Sequence, residues 1–221
     1  GTKGLTIPRK PMFIGTPVLP EYLFENGIAP TLEAMQELAH INTVMTFSHS
    51  HVFRQYQPEF GPKTDSEGQP ITDLYVKTHS RYYATPELQG RTGGPRFADR
   101  DVLDELHEET APRGMKVYAR ILEPYRITGV IKGFESFAEI NVNGEKGPNV
   151  CFNHPGYIAY WESVIEDLVR SHPYLDGFKY GQERGGPMFT ALSGNPATCF
   201  CKHCRKKASG RNINIENARR G

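Results

Sequence analysis

Four cysteines, the only ones in the chain, are spaced as ligands for a metal ion. Three lie in the segment Cys199-Phe-Cys201-Lys-His-Cys204, and the fourth is Cys151. Zinc prefers four soft ligands in a tetrahedron, and a Cys-x-x-Cys turn supplies two of them. Cys151 or His203 would complete the set, whereas disulfides or buried free thiols are the alternatives. Because all ligand positions would be filled, the predicted zinc ion has a structural role.

A carboxylate lies just upstream of these cysteines, at the end of a predicted strand. The segment 176–183 is a short apolar run that ends on Glu183, with Gln182 before it and Arg184 after it. Such a carboxylic acid can act as the general acid/base of glycoside hydrolysis, and a retaining reaction needs a second carboxylate about 5–5.5 Å away. The alternative is a plain ion pair between Glu183 and Arg184 or another arginine.

Other polar side chains near predicted strand ends are candidates for contacts with a sugar. The two histidines of His49-Ser-His51 are two residues apart, so both could face the same side of a strand end. Together with Glu183 they could instead bind a catalytic divalent metal, and Arg120 could simply pair with Glu123. The predicted substrate-binding residues are Gln182, Arg120, Glu123, His49, His51, Tyr180 and Arg184.

The elements that must position these residues alternate between strand and helix. Apolar periodicity predicts strands over 13–19, 41–47, 115–122 and 176–181, and helices over 30–40, 99–113 and 154–170. Thr31 and Asn153 are the predicted N-caps of the first and last helices, and Gly114 is a predicted C-cap. Lys179 and Tyr180 are neighbours on the last strand, so one side chain should lie on the inner face of the sheet and the other should point outward toward a helix.

This order favours an α/β fold, and in particular a TIM barrel. Long loops follow the strands and short ones follow the helices, so a parallel sheet should carry a site at the carboxyl ends of its strands. Four strands are half of a (β/α)8 barrel, which typically takes about 250 residues. We therefore predict a single catalytic-type domain over 1–221 that covers the first four βα units. Residues 48–95 would form a long loop over the site, and 184–208 the zinc-knot loop.

A complete flavodoxin-like sheet is the alternative fold, but no glycine-rich phosphate loop follows any predicted strand. The charges nearly cancel, with 26 Lys and Arg against 25 Asp and Glu, which excludes a strongly basic nucleic-acid surface. No window contains the roughly 18 consecutive apolar residues of a membrane span. The first residues lack the features of a signal peptide, so one was removed or never existed, and a cytoplasmic location is slightly favoured.

The stretch from about residue 150 to 208 resembles the family 42 glycoside hydrolases. In that family a cysteine before a helix joins a Cys-x-Cys-x-x-Cys cluster to bind structural zinc, and the strand between them ends in Asn-Glu. The resemblance implies zinc ligands at Cys151, Cys199, Cys201 and Cys204 and an acid/base role for Glu183, whereas Gln182 stands where the family has Asn. It also resembles poorly characterised barrel proteins described as hypothetical glycosyl hydrolases.

The resemblance implies a retaining glycosidase that acts on a carbohydrate, whose nucleophile lies on a later barrel strand outside this chain. The expected partners are therefore a carbohydrate and either a second copy or a segment that completes the barrel. One alternative is a metal-dependent sugar isomerase or epimerase that uses His49, His51 and Glu183. The other is a non-catalytic carbohydrate-binding subunit.

Overall fold

The computed structural model describes residues 12–50, 73–84, 100–122, 133–181 and 186–219. Within these ranges the protein is a mixed α/β fold built on a parallel sheet. Its strands are β1 (Gly15–Val18), β2 (Thr43–Ser50), β3 (Asp73–Leu74), β4 (Lys116–Leu122), β5 (Ala138–Ile140), β6 (Lys146–Val150) and β7 (Gly177–Gly181). Its α-helices are α1 (Pro20–Asn26), α2 (Ile28–Ala39), α3 (Val102–Thr110), α4 (Pro155–Ser171), α5 (Gly186–Leu192) and α6 (Lys202–Ser209).

The main sheet adds its parallel strands in chain order. Its order is β1-β2-β4-β7, every neighbouring pair in that series is parallel, and the short β3 pairs antiparallel with β2. Parallel strands are connected by right-handed crossovers, so an order without reversal places the connecting helices on one face of the sheet. The described strands therefore lack the reversal in order that defines a flavodoxin-like sheet.

The core lies between this face of the sheet and the helices. Val117, Ala119 and Ile121 alternate along β4, and each is at most 1% exposed. They share one apolar cluster with side chains from β2, α2, α3 and α4, namely Val44, Leu32, Leu103, Leu106, Val164 and Leu168. The period of two on the strand and the periods of three and four on the helices meet in this cluster, which stabilises the layered arrangement.

The opposite face of the sheet carries larger and more polar side chains. The Arg120 guanidinium lies 4.2 Å from the centre of the Phe47 ring, and the two residues are in register on neighbouring strands. Lys179 is in register with Arg120 from the other side and is exposed. At the start of β7, a Cβ at Gly177 would lie 2.6 Å from the Tyr118 ring, so only glycine fits beneath that ring.

The helix starts differ from those predicted by the sequence. α2 begins at Ile28 with Gly27 as its N-cap, and Thr31 lies in the first turn, where its hydroxyl donates to the Gly27 carbonyl at 2.7 Å. His154 rather than Asn153 caps α4, because its Nδ1 accepts from the Gly156 amide at 3.1 Å. Both predicted N-caps are therefore wrong. The predicted C-cap at Gly114 is confirmed, since Gly114 ends the 3-10 turn Ala111–Arg113 that follows α3 and has a left-handed φ of 64°.

Part of the long segment between β2 and α3 belongs to the core. Leu74, Tyr75 and Val76 are each 1% exposed, and the Tyr75 hydroxyl donates to Glu21 on α1. A few residues later the His79 amide donates to the Asp167 carboxylate of α4 at 2.8 Å. Residues 73–84 are thus anchored to two helices, and the remainder of the predicted 48–95 loop, apart from the end of β2, lies outside the described residues. None of the helices described is both long and apolar enough to cross a membrane.

A buried carboxylate–imidazole pair joins this segment to α3 and α4. Asp101 caps α3 through the Leu103 and Asp104 amides, and its other oxygen accepts from the Lys77 amide at 2.8 Å. His172 Nε2 lies 3.1 Å from that same oxygen. Burial opposes charge on both groups, but their mutual hydrogen bond and charge attraction, together with hydrogen bonds to the backbone, outweigh it. The pKa of Asp101 is therefore lowered and the pKa of His172 is raised.

These shifts predict a pH-dependent stability with a defined direction. The raised pKa of His172 stabilises the fold below about pH 6.5, its unfolded value, and this contribution is lost as the pH rises through the folded value. The lowered pKa of Asp101 stabilises the fold above about pH 3.9 and is lost as the pH falls. We expect urea unfolding of the wild type to show a decline in stability from about pH 6 to pH 9 that His172→Gln lacks.

The exposed His40 provides the control for this experiment, because His40→Gln removes an imidazole without touching the pair. Its stability should follow the wild-type pH profile. Parallel profiles for the wild type and His172→Gln would contradict the role of the pair.

Candidate metal centre

The four cysteines meet where the loop after β4 approaches the loop after β7. The β5–β6 hairpin and the next residue, Cys151, belong to the first loop, and Cys199, Cys201 and Cys204 belong to the second. The second loop runs along the hairpin, because the Phe200 amide donates to the Ile140 carbonyl at 2.7 Å and Asn141 bridges Thr198. Backbone hydrogen bonds therefore connect the hairpin of the first loop with the segment of the second loop that carries Cys199 and Cys201.

The hairpin was not predicted, although the sequence contains a signal for it. Asn143-Gly144 is a frequent hairpin-turn dipeptide, and Gly144 has a φ of 89°. The Asn141 side chain closes the turn by accepting from the Asn143 and Glu145 amides. The flanking strands are short and contain glycine, proline and charged residues, so hydrophobic alternation alone does not reveal them.

The sulfur atoms form a compact cluster. All four lie within 4.8 Å of one another, with 3.4 Å between Cys151 and Cys201 and 3.5 Å between Cys151 and Cys204. None of the four forms a disulfide in the structure, so the disulfide alternative is not what the structure shows. A tetrahedral zinc site with Zn–S bonds of about 2.3 Å places its sulfurs about 3.8 Å apart. The spacing and the soft donor atoms therefore fit zinc, and a tetrahedral set of four sulfurs also suits iron.

Cys151, rather than His203, completes the group of four. The His203 ring instead packs edge-on against the ring of His154, with 4.5 Å between their centres. Hydrogen bonds from Cys151 and Cys199 lower the pKa of Cys204 to about 4, and the pKa of Cys151 is raised because it donates to Cys199 and Cys204.

Three of the sulfurs accept hydrogen bonds from N–H groups outside the cluster's own thiols. The Ile140 amide points at Cys199 and the Cys204 amide at Cys201, both at 3.5 Å. Asn153 Nδ2 donates to Cys204 at 3.2 Å. Such donors orient metal ligands and stabilise their anionic form. The sequence reasoning missed this role of Asn153, whose donor contact is made with a residue 51 positions away.

A second group of possible ligands is better explained as structural. Single ligand atoms of Asp101, Asp104 and His172 lie within 4.8 Å of one another. The Asp101 oxygens, however, already accept from three backbone amides and face His172 Nε2. This carboxylate therefore has few lone pairs left for an ion, and its contacts account for its burial.

The predicted acid/base residue follows directly from the sheet. β7 ends at Gly181, and Gln182, Glu183 and Arg184 come next in the chain. These three residues, together with His51 and Glu123, lie outside the described residues. Their predicted roles in substrate binding and catalysis stay predictions.

The other three predicted substrate contacts are described, and the structure does not bring them all together. Arg120 lies over Phe47 on the face of the sheet opposite the helices. Tyr180 lies on the helix side, with 6.1 Å between the centres of its ring and that of Trp161. His49 is 1% exposed where the pairing of β2 with β4 shifts register, and its Nδ1 lies 3.2 Å from the Ser48 hydroxyl. Arg120 and Tyr180 therefore face opposite sides of the sheet.

Comparisons with known proteins show a distant structural likeness. No protein-family model matches the chain, and no curated protein matches it. Among solved structures, the chain is similar to α-L-fucosidase isoenzyme 2 from Paenibacillus thiaminolyticus, with 17% sequence identity and a TM-score of 0.45. That similarity covers 87% of this chain and 25% of the fucosidase, so the chain spans a quarter of the length of that protein. Function must therefore be argued from this chain's own residues.

Proposed function

We propose that this chain is part of a glycoside hydrolase-like enzyme, with Glu183 as general acid/base and a structural zinc ion on the four cysteines. The observation that carries the proposal is the group of four sulfurs within 4.8 Å of one another, one from the loop after β4 and three from the loop after β7. The resemblance to family 42 connects this arrangement with a catalytic glutamate at the end of the intervening strand. The cofactor is a zinc ion held by Cys151, Cys199, Cys201 and Cys204.

The position of Glu183 supports this role. It lies two residues beyond the last residue of β7, and the carboxyl ends of parallel strands are where α/β enzymes bind their substrates. Arg120, on the face away from the helices, lies two residues before the end of β4 and can donate to sugar hydroxyls. A clamp on the loop after β7 would limit the movement of the glutamate relative to the sheet.

A barrel is the proposed complete architecture, and an apolar groove beside β7 supports it. Three apolar residues of α4 are exposed, with values of 45% for Ile158, 37% for Ile165 and 48% for Val169. Tyr180 lies across a groove of about 790 Å³ from them and is 54% exposed. β7 also pairs on one side only among the described strands. Such a surface suits a further βα unit, and the second carboxylate would come from that part of the barrel.

The zinc proposal predicts which variants keep the metal. We expect about one zinc ion per chain by elemental mass spectrometry, and Cys151→Ser should lose most of it because a thiolate ligand is removed. His203→Gln is the matched control, since it removes the other candidate ligand. Zinc retained in Cys151→Ser but lost in His203→Gln would contradict the assignment of the ligands.

The acid/base proposal predicts a loss of turnover without a loss of binding. In the intact protein, Glu183→Gln should lower the rate of glycoside cleavage by roughly 10²–10⁴-fold, since the amide cannot transfer a proton. The rate is measured on a panel of chromogenic aryl glycosides, and sugar binding by calorimetry. Glu37→Gln, an exposed change on α2, should be silent. Cleavage at the wild-type rate by Glu183→Gln would exclude the proposed role.

The barrel proposal predicts that the groove beside β7 is covered in the intact protein. Ile165→Asp should then destabilise the protein by roughly 2–4 kcal/mol in urea unfolding, because a carboxylate would be buried without a partner. Leu38→Asp is the control, since Leu38 is 86% exposed on α2. Equal stability of the two variants would show that the groove faces solvent.

A further inference from the structure

The side chain of Asn153 lies between the cysteine cluster and a lysine. Its Nδ2 is 3.2 Å from Cys204 Sγ, and its Oδ1 is 2.7 Å from Lys207 Nζ. We infer that Asn153 is a positioning residue that orients the sulfur of Cys204 as a ligand and, backed by Lys207, strengthens metal binding at the cluster. This inference rests on the proposed zinc site and concerns residues that are not ligands themselves.

The orientation of the Asn153 amide follows from the chemistry of its two neighbours. A lysine ammonium has only donors, so the amide must present its oxygen to Lys207. The NH₂ group is then directed at Cys204 and can only donate to it. A ligand thiolate accepts such a hydrogen bond more strongly than a neutral thiol does. The contact with Lys207 therefore fixes the amide with its donor group toward the sulfur of Cys204.

The spacing along the chain explains why this contact forms. Lys207 follows Cys204 by three residues on α6, so both side chains lie on the same face of that helix. Asn153 follows Cys151 by two residues, in the short turn that leads into α4. The amide therefore connects one loop of the cluster with the helix of the other. The hydrogen bond between Asn153 and Lys207 makes this connection next to the cysteine cluster without involving a sulfur atom.

The negative charge of the filled site explains why the contact of Asn153 with Cys204 should strengthen metal binding. Four thiolates and one zinc ion carry a net charge of 4 × (−1) + 2 = −2, which nearby donors and cations must offset. Among the described residues, the hydrogen bonds from outside the cysteines to the sulfurs come from the Ile140 backbone and the Asn153 side chain. Of these two groups, only the amide of Asn153 can be changed by substitution. Arg205, a nearby cation, is instead engaged with the Phe200 carbonyl and Glu216.

The test measures metal affinity in the whole protein rather than activity. Zinc dissociation constants are obtained by competition with a chromophoric chelator for the wild type, Asn153→Asp, Lys207→Met and Lys206→Met. Asn153→Asp keeps the shape of the side chain but replaces the donor with a carboxylate, so we expect binding to weaken by about 10–100-fold. Lys207→Met should weaken it by about threefold or more, beyond its matched control Lys206→Met, which removes an equal charge from the same helix.

Cobalt supplies a readout that a merely structural role would not change. In the Co²⁺-loaded proteins, the sulfur-to-cobalt charge-transfer band should shift in Asn153→Asp and stay unchanged in Lys206→Met. Circular dichroism of the metal-free proteins checks that the variants fold, and Lys207→Met, an exposed substitution, tests the same contact with little risk to folding.

The outcomes separate this inference from the zinc proposal. A wild-type protein that binds neither zinc nor cobalt contradicts the zinc proposal and the inference with it. A wild type that binds zinc, with Asn153→Asp equally tight and its cobalt band unshifted, overturns the inference alone. Equal weakening in Lys207→Met and Lys206→Met would show that total charge, rather than the contact with Asn153, is responsible.

Discussion

The mutual approach of four cysteine sulfurs is the constraint on which the candidate site depends. Thiolates within 4.8 Å of one another repel, so the cluster requires protons or a cation to hold its charge. Cys151 belongs to the loop after β4, and the other three belong to the loop after β7. A cation at the cluster would therefore bind two loops at once. It would also restrain the chain that leaves β7 toward Glu183.

Contacts elsewhere in the described structure hold together the helices and the sheet that carry these two loops. The Asp101–His172 pair connects α3 with the end of α4, and the contact of His79 with Asp167 connects α4 with residues 73–84. The first contact is buried and the second is partly buried, so removing either partner would leave a desolvated polar group without its hydrogen bond. The helices are thereby fixed against one face of the sheet. The other face carries Arg120 and Lys179, which are in register on neighbouring strands.

The sequence predicts the repeating features well because they depend on local periodicity. The main parallel strands and the three long helices lie close to their expected positions, and the cysteine spacing points to the group of four sulfurs that the structure brings together. The predicted caps at Thr31 and Asn153 fail because the two helices begin at other residues, with Gly27 and His154 as their N-caps. The role of Asn153 depends on a contact across 51 residues, and no local pattern reports such a contact. The β5–β6 hairpin is polar, so its signal lies in Asn143-Gly144 rather than in hydrophobic alternation.

X-ray absorption at the metal edge of the purified protein tests the central claim most directly. A structural site on Cys151, Cys199, Cys201 and Cys204 predicts one zinc shell of four sulfurs at about 2.3 Å, without nitrogen or oxygen neighbours. A shell that mixes sulfur with nitrogen would show that a histidine replaces a cysteine. Absence of a bound metal, with all four thiols free in the folded protein, would contradict the account.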